Sequence, residues 1–157
     1  MSEGLRRAHR QSGFSGRREA ILPSPVEPPV PAAFRGPAAA ALFVGKPSLG
    51  KGWGTFTGAA RQSGRFLFAH AGPAPPPPPV DNLLELGWLS RPELGTAYRR
   101  ARCVVIPSIC PDGLPRVALE AQATGGIVVG ADAGGVPATF EEGVPGFGFP
   151  RGAAPAL

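Results

Sequence analysis

Two loops of the sequence combine residue types that could bind a phosphate-containing ligand. In the first, GKPSLGKG (45–52), three glycines stand with Lys46 and Lys51. A glycine-rich turn between a strand and a helix favours diphosphate binding, because backbone N–H groups and cationic side chains converge there. An ordinary solvated turn is the competing interpretation, and spacing alone favours it.

The second loop, PDGLPRVALEA (111–121), carries two carboxylates eight positions apart. Asp112 lies before a predicted helix, and Glu120 lies within that helix between Leu119 and Ala121. A half-buried carboxylate needs partners to offset its desolvation, and sugar hydroxyls would supply them. A solvated glutamate on an amphipathic helix is the commoner alternative. Further along, Gly134 and Gly135 would allow a close backbone approach to a ligand.

Read literally, the first loop also fits part of the phosphate-loop pattern G-x-x-x-x-G-K-[ST]. Gly45, Gly50 and Lys51 match, but Gly52 stands where a Ser or Thr should hold magnesium. The only candidate for the second acidic strand places Asp132 late and beyond a glycine. A nucleoside triphosphatase is therefore a remote alternative.

Apolar runs and helical segments alternate along the chain. This pattern predicts an α/β, Rossmann-like parallel sheet of about five or six strands with helices on both faces, and ligands bind such sheets at the carboxyl ends of the strands. The predicted strands are 40–45, 65–72, 82–88, 103–108, 126–132 and 146–149. The predicted helices are 50–62, 91–101, 115–124 and a short one near 136–142.

Composition limits the classes of function. Residues 1–37 form a basic segment and a proline-rich linker, and residues 38–157 form the domain. The net charge of +5 is too mild and dispersed for nucleic-acid binding. Two cysteines and two histidines do not make a disulfide framework or a metal site. Neither a membrane span nor a signal peptide is predicted, so a cytoplasmic location is expected.

Taken in order, these segments resemble the donor domain of GT-B retaining glycosyltransferases. LFVGKPSLGKG is similar to the family's first strand and loop. The stretch from LGWLSRPELG to GFGFPRG follows the family's later run, with Asp112 and Glu120 in the positions of its E-x7-E motif. AILPSPVE (20–27) is similar to the strand that enters this domain from the interdomain linker. The resemblance covers roughly residues 15–157.

The resemblance implies retaining transfer of a sugar from a nucleoside-diphosphate donor, with no cofactor and no metal. Lys51 and Asp112 would be the catalytic residues. Lys46 and Lys51 would bind the diphosphate, Asp112 would face the donor sugar, and Glu120 would accept the ribose hydroxyls. The other implied donor-binding residues are Gly45, Trp88, Gly113, Leu114 and Pro115, with the nucleobase near Gly87, Trp88 and Leu89.

Several departures from the family pattern change the expectation. The first acid is Asp112, Lys46 replaces the usual Arg, and PAPPPPPV (73–80) replaces a helix. No acceptor domain precedes the linker, and the chain stops where the family continues. We therefore expect the donor-binding half of a two-domain enzyme, inactive alone. The alternative is a noncatalytic nucleotide-binding module that works with a separate acceptor-domain protein. The sugar, base and acceptor stay open, as does peripheral membrane contact.

Overall fold

The computed structural model describes residues 3–14, 16, 20, 25–27, 29–30, 38–77 and 80–153. Most of the predicted linker, and residues 21–24 of the stretch 20–27 that is similar to a family strand, lie outside the described residues. The helices are α1 (Glu3–Gln11), α2 (Trp53–Ser63), α3 (Arg91–Arg100) and α4 (Arg116–Ala123), with a 3-10 turn at Pro137–Thr139. The strands are β1 (Ala41–Val44), β2 (Phe68–Ala71), β3 (Leu83–Gly87), β4 (Cys103–Ile106), β5 (Val128–Ala131), β6 (Glu141–Glu142) and β7 (Pro145–Phe149).

The strands form one sheet in the order β3-β2-β1-β4-β5-β7-β6, and every strand pair is parallel. β1 pairs with β4 through Ala41 opposite Cys103 and Leu42 opposite Val104. The chain thus moves outward from β1 on one side and then crosses to the other, which is the doubly wound arrangement. The predicted parallel α/β fold is confirmed. β1 and β4 are the central neighbours between which the strand order reverses.

The two sheet faces pack against different helices. Successive side chains of a strand point to opposite faces, so Leu42 and Val104 join the core beneath α3 and α4, whereas Phe43 and Val105 join the core beneath α2. All four residues are almost completely buried. Burial on both faces explains why these strands read as continuous apolar runs.

The segment after β5 departs from the predicted short helix near 136–142. Only the 3-10 turn forms, and Phe140 is already extended, with φ −148°. Its ring lies where Cβ atoms on Gly130 and Gly146 would be, at 2.8 Å and 2.7 Å from it. Packing of Phe140 onto these two strand glycines therefore ends the helical segment, and the two-residue β6, which no prediction included, follows at the sheet edge.

Candidate functional site

The candidate site is a cavity of about 180 Å³ at the carboxyl ends of the two central strands. Its walls come from the ends of β1 and β4, from the loops that follow them, and from Val117 in the first turn of α4. The lining residues are Phe43, Val44, Gly45, Lys51, Val105, Ile106, Pro107, Ser108, Asp112, Pro115 and Val117. The structure therefore brings together the two loops that the sequence singled out.

Backbone contacts hold these two loops together. The carbonyl oxygen of Gly50 accepts hydrogen bonds from the Ile109 N–H at 3.0 Å, the Cys110 N–H at 3.2 Å and the Cys110 Sγ at 3.1 Å. Gly52 has φ +74°, and a Cβ there would lie 1.7 Å from the carbonyl oxygen of Pro107. Only glycine fits this approach, because a side chain would collide with backbone rather than with a movable group.

Lys51 and Asp112 form an ion pair beside the cavity. The Lys51 Nζ lies 2.5 Å from the Asp112 Oδ2, and the side chains are 49% and 18% exposed. The main chain of Asp112 is also fixed, because its carbonyl accepts the Gly135 N–H at 2.6 Å. A Cβ on Gly134 would lie 2.4 Å from that carbonyl oxygen. Gly134 thus makes its close approach to the main chain of Asp112, whereas the approach of the glycine pair to a ligand stays a prediction.

Glu120 is held on α4 by partners from two helices. The Tyr98 hydroxyl on α3 donates to Glu120 Oε2 at 3.1 Å, and the Arg116 guanidinium lies 3.6 Å from Oε1. The Glu120 side chain is 15% exposed, so it is mostly buried and not the solvated glutamate of the commoner alternative. Its partners are a phenol and a guanidinium, and the sugar hydroxyls expected from the sequence stay a prediction. Burial, and secondarily the charge of Glu120, raises the pKa of Tyr98 far above its ordinary value. The phenol therefore stays protonated and donates.

The comparison with known families identifies the C-terminal half of the chain. Residues 80–157 match the profile described as Glycosyl transferases group 1. This segment runs from just before β3 through α4 to the end of the chain, and so contains Tyr98, Asp112 and Glu120. Residues 80–157 belong to the glycosyl transferases group 1 family. No curated protein sequence matches the chain.

Solved glycosyltransferase structures share the fold of this chain. The lipopolysaccharide outer core galactosyltransferase WaaB, in its apo form, aligns with TM-score 0.71 and 20% identity over 98% of this chain and 48% of WaaB. HepE from Anabaena, crystallised with UDP, aligns with TM-score 0.61 and 24% identity over 74% of this chain and 36% of HepE. The chain thus spans between a third and a half of the length of these two relatives.

A third similar structure is a single domain. The C-terminal domain of the group 1 protein LpcC from Francisella tularensis aligns with TM-score 0.59 and 18% identity, over 80% of this chain and 71% of that domain. The GT-B resemblance expected from the sequence is therefore confirmed at the level of fold. Among the described helices, none is both long and apolar enough to cross a membrane.

The remaining predicted site residues are sequence neighbours of the cavity-lining residues or lie further along the same sheet edge. Pro115 is buried in the cavity wall, Gly113 and Leu114 are partly buried, and Lys46 is exposed. Trp88 directly follows β3 and is 82% exposed. Glu120, to which the resemblance gives the ribose hydroxyls, does not belong to the residues that line the cavity, and this role stays a prediction.

The structure also bears on the phosphate-loop alternative. A Ser or Thr at position 52 would place its Cβ against the Pro107 carbonyl, so the residue that would hold magnesium in that motif does not fit this fold. Sequence reasoning missed Tyr98 and Arg116. Arg116 is four residues before Glu120, which is a signal for a helical ion pair, whereas Tyr98 lies 22 residues away on another helix and gives no local signal.

Proposed function

We propose that this chain is the donor-binding half of a glycosyltransferase that binds a nucleoside-diphosphate sugar. The observation that carries the proposal is the cavity at the carboxyl ends of β1 and β4, which the Lys51–Asp112 pair and the start of α4 line. Helix N-termini and an ammonium group favour an anion at this point. HepE, which shares the fold, was crystallised with UDP.

The diphosphate would bind beside Lys51, with Lys46 as a second, exposed cation. When the bond from the sugar to the phosphate breaks, negative charge develops on the departing diphosphate. Preorganised cations and backbone N–H groups stabilise that charge. Asp112 would turn from Lys51 toward the donor sugar, where its carboxylate would accept hydrogen bonds from sugar hydroxyls.

The nucleoside would lie along the sheet edge outside the cavity. Ligand pockets are roughly 300–1,000 Å³, so a cavity of about 180 Å³ holds only part of a nucleotide sugar. Glu120 would accept hydrogen bonds from the ribose hydroxyls, and Trp88 would contact the base. β3, which Trp88 follows, is two strands from β1, or about 10 Å at the usual strand spacing.

A noncatalytic nucleotide-binding module is the second candidate, and one observation favours it. The two residues expected to act on the donor, Lys51 and Asp112, neutralise each other in the structure. If the pair persisted with donor bound, the domain would bind nucleotide through Glu120 and the backbone without promoting transfer. A separate acceptor-domain protein would then supply the chemistry.

Calorimetry with UDP, UDP-glucose and GDP in magnesium-free buffer tests nucleotide binding. We expect one nucleoside diphosphate to bind, and binding of ATP only with magnesium would overturn the proposal. Glu120→Ala should weaken UDP binding by about 1–3 kcal/mol, the usual loss for a hydrogen bond to a charged group.

The deoxynucleotide dUDP supplies the matched control for Glu120. It lacks one of the hydroxyls that Glu120 would accept, so the Ala variant should lower the preference for UDP over dUDP. Equal affinity of the parent and variant for UDP would remove the ribose role of Glu120. Donor hydrolysis that depends on both Lys51 and Asp112 would favour the enzyme over the noncatalytic module.

A further inference from the structure

His70 is a buried histidine in the middle of an apolar strand. It lies on β2 and is 1% exposed. Its ring packs against Trp53 and Phe43, with centroid separations of 4.9 Å and 5.7 Å. Its Nε2 lies 2.9 Å from the carbonyl oxygen of Gly45. Because a carbonyl can only accept, Nε2 carries the proton, and His70 donates to the first residue of the loop 45–52.

The other ring nitrogen shows that this arrangement is costly. Nδ1 is buried and has no hydrogen-bond partner in the described part of the chain. A buried acceptor without a partner costs free energy that an aliphatic side chain at the same place would not. Burial also lowers the pKa of His70, so the ring is neutral near pH 7. Packing alone thus gives no reason for a histidine here, whereas the bond to Gly45 does.

Gly45 is held from two sides at the start of the loop. Its N–H donates to the Ala71 carbonyl at 2.9 Å, its φ is +130°, and its own carbonyl is held by His70. In a trans peptide the C=O of one residue and the N–H of the next point in opposite directions. By fixing the Gly45 carbonyl, His70 therefore turns the Lys46 N–H away from the His70 ring and sets the path of the loop.

We propose that His70 is a positioning residue for the diphosphate end of the donor site. Its Nε2–H fixes the peptide unit between Gly45 and Lys46, and through it the loop that carries Lys46 and Lys51. This inference rests on the proposed function, because the proposed function supplies the diphosphate that the loop binds. It predicts that His70 affects the affinity for phosphates and leaves nucleoside recognition unchanged.

Two variants at this position separate the hydrogen bond from the packing. His70→Leu fills the space without a donor, whereas His70→Gln places an amide N–H close to the position of Nε2. We expect H70L to bind UDP about tenfold more weakly, the typical effect of one lost hydrogen bond, and to bind uridine within twofold of the parent chain. H70Q should regain most of the UDP affinity. Calorimetry for UDP and ligand-observed NMR for uridine give these values.

The outcomes distinguish this inference from the proposed function. If the parent chain binds neither UDP nor GDP, both fail together; if it binds GDP alone, the same comparison is made with GDP and guanosine. If the parent binds UDP and H70L shows the same ratio of UDP to uridine affinity, only the role of His70 fails. Should H70L not fold, His70→Asn replaces it, because its shorter amide does not reach Gly45. If neither variant folds, or if H70Q gives no rescue, His70 serves the core and the inference is overturned.

Discussion

The two ends of the proposed donor site are built in different ways. At the proposed phosphate end, most contacts that fix the two loops are made to main-chain carbonyls. The Gly50 carbonyl accepts two backbone N–H groups and the Cys110 thiol, Gly52 approaches the Pro107 carbonyl, and the His70 ring bonds to the Gly45 carbonyl. At the proposed ribose end, which lies outside the cavity lining, side chains on two helices hold one another, with Glu120 between Tyr98 and Arg116. Where main-chain groups are in close contact, an added side chain collides with backbone. Where side chains hold one another, a substitution can remove a single functional group and leave the backbone in place.

The largest expected effect is at the phosphate end. Gly52→Ala should lower the free energy of unfolding by about 3 kcal/mol or more. A left-handed conformation costs a non-glycine residue about 1–2 kcal/mol, and here the Cβ also meets the Pro107 carbonyl at 1.7 Å, which adds a steric cost. Chemical denaturation followed by circular dichroism measures the change.

Gly58→Ala is the matched control. Gly58 lies in α2, and a Cβ there meets nothing within 4 Å. Because alanine is favoured over glycine in a helix by roughly 1 kcal/mol, this variant should be more stable than the parent. If G52A were as stable as G58A, the two loops would not be in the close contact described here.

The second prediction concerns the pH dependence of stability that His70 gives to the phosphate end. Burial lowers the pKa of His70 below its ordinary value of 6.5, so the unfolded chain binds this proton more readily than the folded one. The stability that His70 contributes is complete above pH 6.5 and is lost as the pH falls through its folded pKa. The slope cannot exceed about 1.4 kcal/mol per pH unit for one group.

Denaturation at a series of pH values between 7.5 and 4.5 measures this loss. The Gly45 carbonyl and the Glu85 carboxylate on β3 partly oppose the shift, and other groups titrate in the same range, so H70Q serves as the reference. The parent chain should lose more stability than H70Q as the pH falls through this range. Identical profiles would show that His70 does not titrate with folding.

A smaller effect is expected at the ribose end. Tyr98→Phe keeps the ring in the core and removes only the hydroxyl that donates to Glu120 Oε2. We expect UDP affinity to fall by about 0.5–1.5 kcal/mol, the usual net value of one hydrogen bond, since Glu120 then loses one of its two restraints. In a Glu120→Ala background the same change should have almost no effect on UDP binding. An equal effect in both backgrounds would mean that Tyr98 does not act through Glu120.

The sequence predicts the parts of this molecule that depend on local pattern. Apolar runs such as CVVIPS mark strands buried on both faces, and Pro115 followed by helix-forming residues marks α4. The contacts of Tyr98 and His70 are not predictable in this way, because their partners lie 22 and 25 residues away. The end of the predicted helix near 136–142 depends likewise on where Phe140 packs. Local sequence thus identifies the loops of the site, and tertiary packing decides what holds them.

The smallest expected effect is the coupling between Lys51 and Asp112, which lies at the phosphate end but is made by side chains. Lys51 is about half exposed, and exposed ion pairs are worth roughly 0.2–1 kcal/mol. A double-mutant cycle of Lys51→Met and Asp112→Asn should therefore give a coupling below about 1 kcal/mol in unfolding free energy, and less in 0.5 M salt.

In UDP binding, the two variants should act in opposite directions. Lys51→Met removes the cation and weakens binding, whereas Asp112→Asn frees Lys51 for the diphosphate and strengthens it. If both variants weakened UDP binding equally, Lys51 and Asp112 would act as one unit that the nucleotide does not separate.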